Sequence, residues 1–219
     1  MISSRAPRRR IWLAACVAIV CLVGCRPATV DHSTQPPATG PAVTEKKVEA
    51  LEQNATVAGN KATPSPSELI DKPEAQAVDP AGAEPLDDAI TCLARTVYWE
   101  ARGEATADME AIASVVMNRL GHEGFPTTVC SVVRQGQERG ACQFSWWCDG
   151  RSDQAKDDES YATAKEIARK ALNLQLTDRT GGALYFHQHN TTPGWAAKYT
   201  RTVSIGPFVF YKPRGDRAR

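Results

Sequence analysis

Between residues 26 and 86 the sequence has no Phe, Trp or Tyr, yet 9 of its 14 prolines fall there. A segment without aromatics buries too little apolar surface to offset backbone ordering, about 1–2 kcal/mol per residue. That excludes a single globule of 219 residues and leaves one domain plus extra chain. Excess charge is missing as well. Lys and Arg number 26 against 25 Asp and Glu, so the net charge of +1 offers no basic field for phosphates and excludes a charge-driven nucleic-acid binder. No long hydrophobic run is present either. The apolar stretch from Ile11 to Gly24 would reach about 21 Å as a helix, short of the roughly 30 Å hydrocarbon core, and makes a poor permanent span. The absence of any Cys-x-x-Cys pair weakens a zinc–thiolate reading.

The charge that is present is unevenly spread. Residues 1–24 carry four Arg and no acid, residues 25–86 carry five bases and nine acids, and residues 87–219 carry seventeen and sixteen. Arg5, Arg8, Arg9 and Arg10 ahead of a short apolar run make a secretory signal over residues 1–24. Its last residues, Leu22-Val23-Gly24-Cys25, resemble the lipobox of bacterial lipoproteins. That resemblance implies cleavage before Cys25, lipidation of Cys25 and membrane attachment through the lipid. Arg26, rather than Asp, follows the anchor, which favours the outer membrane, facing the periplasm, in a two-membrane envelope. Residues 25–86 then read as a disordered Pro/Ala-rich tether, with at most a transient helical turn or two from Lys46 to Gln53. About 60 residues of flexible coil would span roughly 45 Å.

Four cysteines remain in the region expected to fold, over residues 87–214: Cys92, Cys130, Cys142 and Cys148. An even number in an exported domain reads as two disulfides, with three possible connectivities. Cys142 and Cys148 close a short loop and are the easiest local pair, leaving Cys92 with Cys130. A zinc site combining these thiols with His187 or His189 is the rival reading, and an oxidising compartment argues against it.

Asp87 and Asp88 offer an N-cap for a helix running to about Arg102, where Gly103 can end it. Its apolar stripe is Ile90, Leu93, Ala94, Val97 and Ala101. At 100° per residue Glu100 lies within about 20° of Leu93 and 60° of Val97, so it flanks the face turned to the core. Burial and the negative end of the helix dipole both favour its protonated form, as a general acid near neutral pH requires. The structural alternative is a glutamate paired with Arg95 or Arg102. A second helix follows Thr106, with Met109, Ile112, Ala113, Val116 and Leu120 inward; a third runs from Asp157 to Leu174. Gly181-Gly182 introduces two short strands, Ala183–His187 and Ser204–Tyr211. The fold class is α+β, mainly helical with a small β element.

Aromatic and polar side chains gather twice, at Gln143-Phe144-Ser145-Trp146-Trp147 and at Tyr185-Phe186-His187-Gln188-His189 with Trp195 downstream. Aromatic faces with amides and hydroxyls suit sugars, although Trp146 or Trp147 serves equally well as core. Tyr98-Trp99-Glu100-Ala101-Arg102-Gly103-Glu104, Val116-Met117-Asn118-Arg119, Cys142-Gln143-Phe144-Ser145, Cys148-Asp149-Gly150 and Ile205-Gly206 to Phe210-Tyr211 together resemble the SleB/CwlJ cell-wall hydrolase family. The resemblance covers roughly Ile90 to Tyr211. It implies a lysozyme-like, lytic-transglycosylase-like domain acting on peptidoglycan glycan strands, with Glu100 as the catalytic glutamate and no cofactor or metal. One departure stands out. Members commonly carry His two residues before the final Phe-Tyr pair, where this chain has Phe208.

Cleavage between N-acetylmuramic acid and N-acetylglucosamine needs a proton on the bridging oxygen and a stabilised oxocarbenium-like centre. A lytic transglycosylase does this with one residue as acid and then base, the muramic C6 hydroxyl being the attacking group. Tyr98, Gln143, Ser145, Tyr185, His187, Trp195 and Tyr211 are the candidate substrate-binding residues. For a hydrolase, Glu104 and Asp149 are the candidate second carboxylates. A monomer is expected. Two other classes fit parts of the sequence: a non-catalytic peptidoglycan-binding lipoprotein, and a zinc-dependent N-acetylmuramoyl-L-alanine amidase.

Overall fold

The computed structural model describes residues 41–56 and 62–215. The expected signal peptide, the lipidation site Cys25 and the first part of the tether lie outside the described residues. A long buried helix, α3 (Ala89–Ala101), runs through the core. It follows α1 (Pro41–Thr56) and α2 (Lys72–Ala77) and packs against α4 (Thr106–Arg119), α5 (Val129–Val133) and α6 (Asp158–Leu172). Ala89 to Tyr98 are all buried, so this helix is enclosed on every side rather than amphipathic. Its polar residues are satisfied locally. Asp88 caps it by accepting from the Thr91 amide at 2.9 Å, and the Thr96 hydroxyl donates to the Cys92 carbonyl at 2.9 Å. It ends as the sequence suggests, with Arg102 at the C-cap and Gly103 at φ +86°.

The tether expected over residues 25–86 is corrected over its described part. In α1 the buried positions Thr44, Val48, Leu51 and Ala55 recur at helical spacing and dock on the core. Residues 62–86 follow as a strap, with Ile70 and Ala75 fully buried. Asn173 at the end of α6 clasps Ile70 from both sides, accepting from its amide at 3.0 Å and donating to its carbonyl at 2.8 Å. Lys165 and Arg169 of α6 donate to the Gln76 and Ile70 carbonyls. Asp79 is buried against Arg95, 2.7 Å away, and accepts from the Tyr161 hydroxyl at 2.5 Å. Aliphatic contacts and buried polar pairs thus do what aromatics were thought necessary for. Among the described residues, packed structure is present from α1 onward and not only from residue 87.

Strands β1 (Tyr185–Gln188), β2 (Thr200–Ile205) and β3 (Phe208–Lys212) form an antiparallel sheet in the order β1-β3-β2. Two strands were expected; the second is a hairpin folded at Gly206-Pro207. Gly206 sits at φ +51°, and a Cβ there would collide with the Asp108 carboxylate at the start of α4. The hairpin turn is therefore seated directly on that helix. Alternation along β3 sends Phe208 and Phe210 with Phe186 into the helical core, and Val209 and Tyr211 to the opposite face.

Disulfides join Cys92 to Cys130 and Cys142 to Cys148, the pairing expected from loop length. The first ties α3 to α5 across 38 residues, which in chain-entropy terms stabilises by about 4 kcal/mol. No helix among the described residues is long and apolar enough to cross a membrane.

Candidate active site

Glu100 is the penultimate residue of α3, partly open to solvent but enclosed by protein on most sides. Burial pushes its carboxyl up to about 7, and the one charge that acts on it, Arg119, pulls the other way. Among the described residues it accepts no hydrogen bond and joins no ion pair; neither Arg95 nor Arg102 is its partner. Arg95 binds Asp79, while Arg102 donates to the Tyr98 hydroxyl and lies over the Tyr98 and Trp99 rings. A carboxyl balanced between acid and carboxylate near neutral pH can both give and take a proton.

Arg119, the last residue of α4, was not singled out as a functional residue, though a signal was available. It stands seven residues after Ile112, hence within about 20° of it on the core face of the helix. It is fully buried. Its Nε donates to the Leu184 carbonyl at 2.7 Å, and its guanidinium carbon lies 5.1–5.6 Å from the ring centres of Phe144, Phe125 and Tyr185. Both terminal nitrogens are buried without a hydrogen-bond partner. Burial pushes the guanidinium down to about 10.

Tyr185 links this charge to an aromatic wall on the outer face of the sheet. Its ring centre lies 4.5 Å from Tyr199 and 5.9 Å from Trp195, and Trp195 stands edge-on to Tyr211 at 5.5 Å. His187 stacks on Tyr211 at 5.2 Å, its Nε2 2.9 Å from the Tyr211 hydroxyl. Register explains the grouping: Tyr185 and His187 share one face of β1, and Tyr185 pairs with Tyr211 across to β3. Four expected substrate-binding residues, Tyr185, His187, Trp195 and Tyr211, therefore come together.

The others fall differently. Gln143 and Ser145 are exposed on either side of the buried Phe144 that caps Arg119. Tyr98 is a correction. It is fully buried, and its hydroxyl is taken by Arg102 at 2.9 Å and by the Asp157 amide at 3.2 Å, so no substrate surface includes it. Of the two tryptophans, Trp146 is core, whereas Trp147 lines a separate cavity of about 490 Å³ with Arg95, Arg134 and Asp153. Glu104 and Asp149 are exposed, and neither acts on Glu100. With all four domain cysteines in disulfides, none is left as a thiolate ligand, and no cluster of three or more His, Cys, Asp or Glu among the described residues is placed to hold a metal.

The sequence model of the Cell Wall Hydrolase family matches residues 103–211, starting three residues beyond Glu100. Over 132 residues the chain is 34% identical to a spore cortex-lytic enzyme of Halalkalibacterium halodurans, covering 60% of this chain and 36% of that protein. It spans less than half the length of such relatives. The crystal structure of the catalytic domain of the Bacillus cereus SleB protein is 31% identical, with a TM-score of 0.47, over 57% of this chain and 89% of that one. The catalytic domain of the germination-specific lytic transglycosylase SleB from Bacillus anthracis is 30% identical, with a TM-score of 0.47, over 57% and 93%. The family match over residues 103–211, joined to identities of 32–34% with spore cortex-lytic enzymes, means that the chain belongs to the SleB/CwlJ family of cell wall hydrolases.

Proposed function

We propose that this domain cleaves peptidoglycan glycan strands between N-acetylmuramic acid and N-acetylglucosamine as a lytic transglycosylase, with Glu100 as general acid and then base. The observation that carries the reading is a carboxyl with no hydrogen-bond or ion-pair partner among the described residues, held near neutrality by burial and linked to the aromatic wall through Arg119, which acts on it and lies against Tyr185. Protonated Glu100 gives its proton to the bridging oxygen as the bond from muramic C1 breaks. The resulting carboxylate takes the proton of the muramic C6 hydroxyl while that oxygen closes on C1. The product ends in a 1,6-anhydro sugar, no water is consumed, and Glu100 is protonated again. A hydrolase would normally set a second carboxylate about 5–9.5 Å from the first. Such a neighbour would push Glu100 further up, and the only charge acting on it is a cation. Tyr185, Trp195 and Tyr211 would pack against sugar C–H faces, with His187, Gln143 and Ser145 supplying hydrogen bonds.

The same reading includes a signal peptide over residues 1–24 and lipidation of Cys25, which would hold the domain in the cell envelope, at the outer membrane on its periplasmic side. The decisive experiment digests purified sacculi with the full chain and with Glu100→Gln, with products identified by mass spectrometry. Anhydro-muropeptides from the wild type alone are expected. Reducing ends of normal mass would mean hydrolysis, free stem peptides an amidase, and no product a wall-binding protein without activity.

A further inference from the structure

Two buried arginines of this fold can be compared directly. Arg95 is structural, and its nitrogens are all engaged: Nε and Nη2 bind Asp79, Nη2 also reaches the Glu84 carbonyl, and Nη1 donates to the Asp153 carbonyl. Arg119 is equally buried but is held by its Nε alone. The rings of Phe125, Phe144 and Tyr185 enclose its guanidinium, and its two terminal nitrogens have no hydrogen-bond partner among the described residues. Leaving charged donors unsatisfied in a protein interior is costly, and native folds rarely keep such a group without a use. The groups acting on Arg119 are few. Glu100 acts from α3 and Tyr185 from β1, with Tyr199 behind Tyr185; the side chains facing it from the remaining walls, Phe125 and Phe144, carry no charge. Glu100 in turn has no hydrogen-bond partner among the described residues, and Arg119 is the charge that acts on it.

On the reading of Glu100 given above, we propose that Arg119 is its positioning residue: the two free guanidinium nitrogens are the seat that the Glu100 carboxylate takes after giving up its proton and leaves on regaining it. A planar fork of N–H donors matches a carboxylate in two-point geometry. The aromatic cage and the Leu184 carbonyl keep that fork from turning to any other acceptor. In the arrangement described here the seat is empty, as suits a protonated Glu100. When the proton moves to the bridging oxygen, the new carboxylate meets preorganised donors instead of having to draw in water. Between the two half-reactions it is held in one orientation, ready to accept the C6 proton.

The test reads the two side chains directly, by NMR of the full chain labelled with ¹³C at Glu carboxyls and ¹⁵N at Arg side chains. The Glu100 signal is assigned by its loss in Glu100→Gln. In the wild type, the Arg119 Nη signals should shift with pH at the Glu100 midpoint, and in Glu100→Gln they should not. Arg119→Met should raise the Glu100 midpoint by about one pH unit or more. It should also lower kcat about tenfold or more while leaving KM little changed. Arg119→Lys keeps the charge without the fork and should restore most of the midpoint but not kcat. An Arg119→Met protein that folds and melts lower yet titrates Glu100 as the wild type does would reduce Arg119 to a structural residue. If Arg119→Met does not fold, the wild-type titration decides alone, and Nη signals indifferent to the ionisation of Glu100 would overturn the proposal. Glycan cleavage surviving in Glu100→Gln would instead remove the catalytic reading and leave the titration of the pair standing as its own result.

Discussion

Glu100 and Asp79 are carboxylic acids inside the same fold, and burial pushes both upward, yet they end on opposite sides of the ordinary range. Around Asp79, the Tyr161 hydroxyl, the Glu84 amide and Arg95 outweigh burial and hold the carboxyl below its usual value. Glu100 has only the charge of Arg119 to oppose burial, with no hydrogen bond among the described residues, and rises to about 7. The consequences for stability have opposite signs. Glu100 prefers its protonated form in the folded state, so its contribution is intact below its unfolded midpoint of about 4.5 and is lost as pH rises through 7. Glu100→Gln removes that penalty. We expect the variant to be inactive but more stable than the wild type at pH 8, by on the order of 1–3 kcal/mol, and equal to it at pH 4. Thermal melts at the two pH values measure this, and equal melting at pH 8 would mean that Glu100 is an ordinary solvated acid. Glu100 was legible at this scale because helical spacing placed it against the core. Tyr98 was misread because it stands two residues before Glu100, and a motif read along the chain does not say which of its members points into the core.

Among the elements, the strap from residue 62 to 86 carries the sharpest energetic consequence. Asp79 closes it onto α3 and α6 by accepting from Arg95, Tyr161 and the amides of Ala83 and Glu84. Breaking a buried ion pair by removing one partner typically costs 3–5 kcal/mol, because the other charge is left uncompensated. Asp79→Ala should therefore lower stability by about 4 kcal/mol in urea unfolding, and a loss under 1 kcal/mol would mean that the strap is held by its apolar contacts alone. The sequence revealed α3, α4 and α6 to within a residue or two, because each has a stripe of apolar residues and α3 and α6 start at a capping Asp. It concealed α1 and the strap because their buried residues, Val48, Leu51, Ala55, Ile70 and Ala75, are aliphatic, few, and set among prolines and acids. Their stability is tertiary: the strap is held by Asn173, Lys165, Arg169 and Arg95, and α1 by the Val129 amide and the core, all far along the chain, and no local pattern records such partners. The Gly206-Pro207 turn was hidden for a simpler reason: the residues on both sides of it are apolar, and they read as one strand.

For the whole molecule, the folded body is larger than the region that resembles the family. The Cell Wall Hydrolase match starts at residue 103, while buried side chains occur from Thr44 onward. The N-terminal elements lie outside that match, and α1 packs against α3, the helix that carries Glu100. The proposed membrane attachment is a separate matter and would rest on Cys25. If Cys25 is the lipidated residue, Cys25→Ser should move the protein from the membrane fraction to the soluble periplasmic fraction while leaving its activity on isolated sacculi unchanged. Retention of the variant in the membrane fraction would point to the uncleaved apolar run as the anchor.

The start of α1 at Pro41 changes the mechanics of that attachment. A spacer reaching to residue 86 could stretch to about 210 Å, at 3.3–3.6 Å per residue. From Cys25 to Pro41 the chain can extend no further than about 55 Å. The volume within reach of a leash scales as the cube of its length, so this one allows roughly a fiftieth of the search space. If Cys25 is that anchor and the domain is the proposed glycan-cleaving enzyme, it would reach only the strands that pass close to its own point of attachment, and where it is anchored would become part of its specificity.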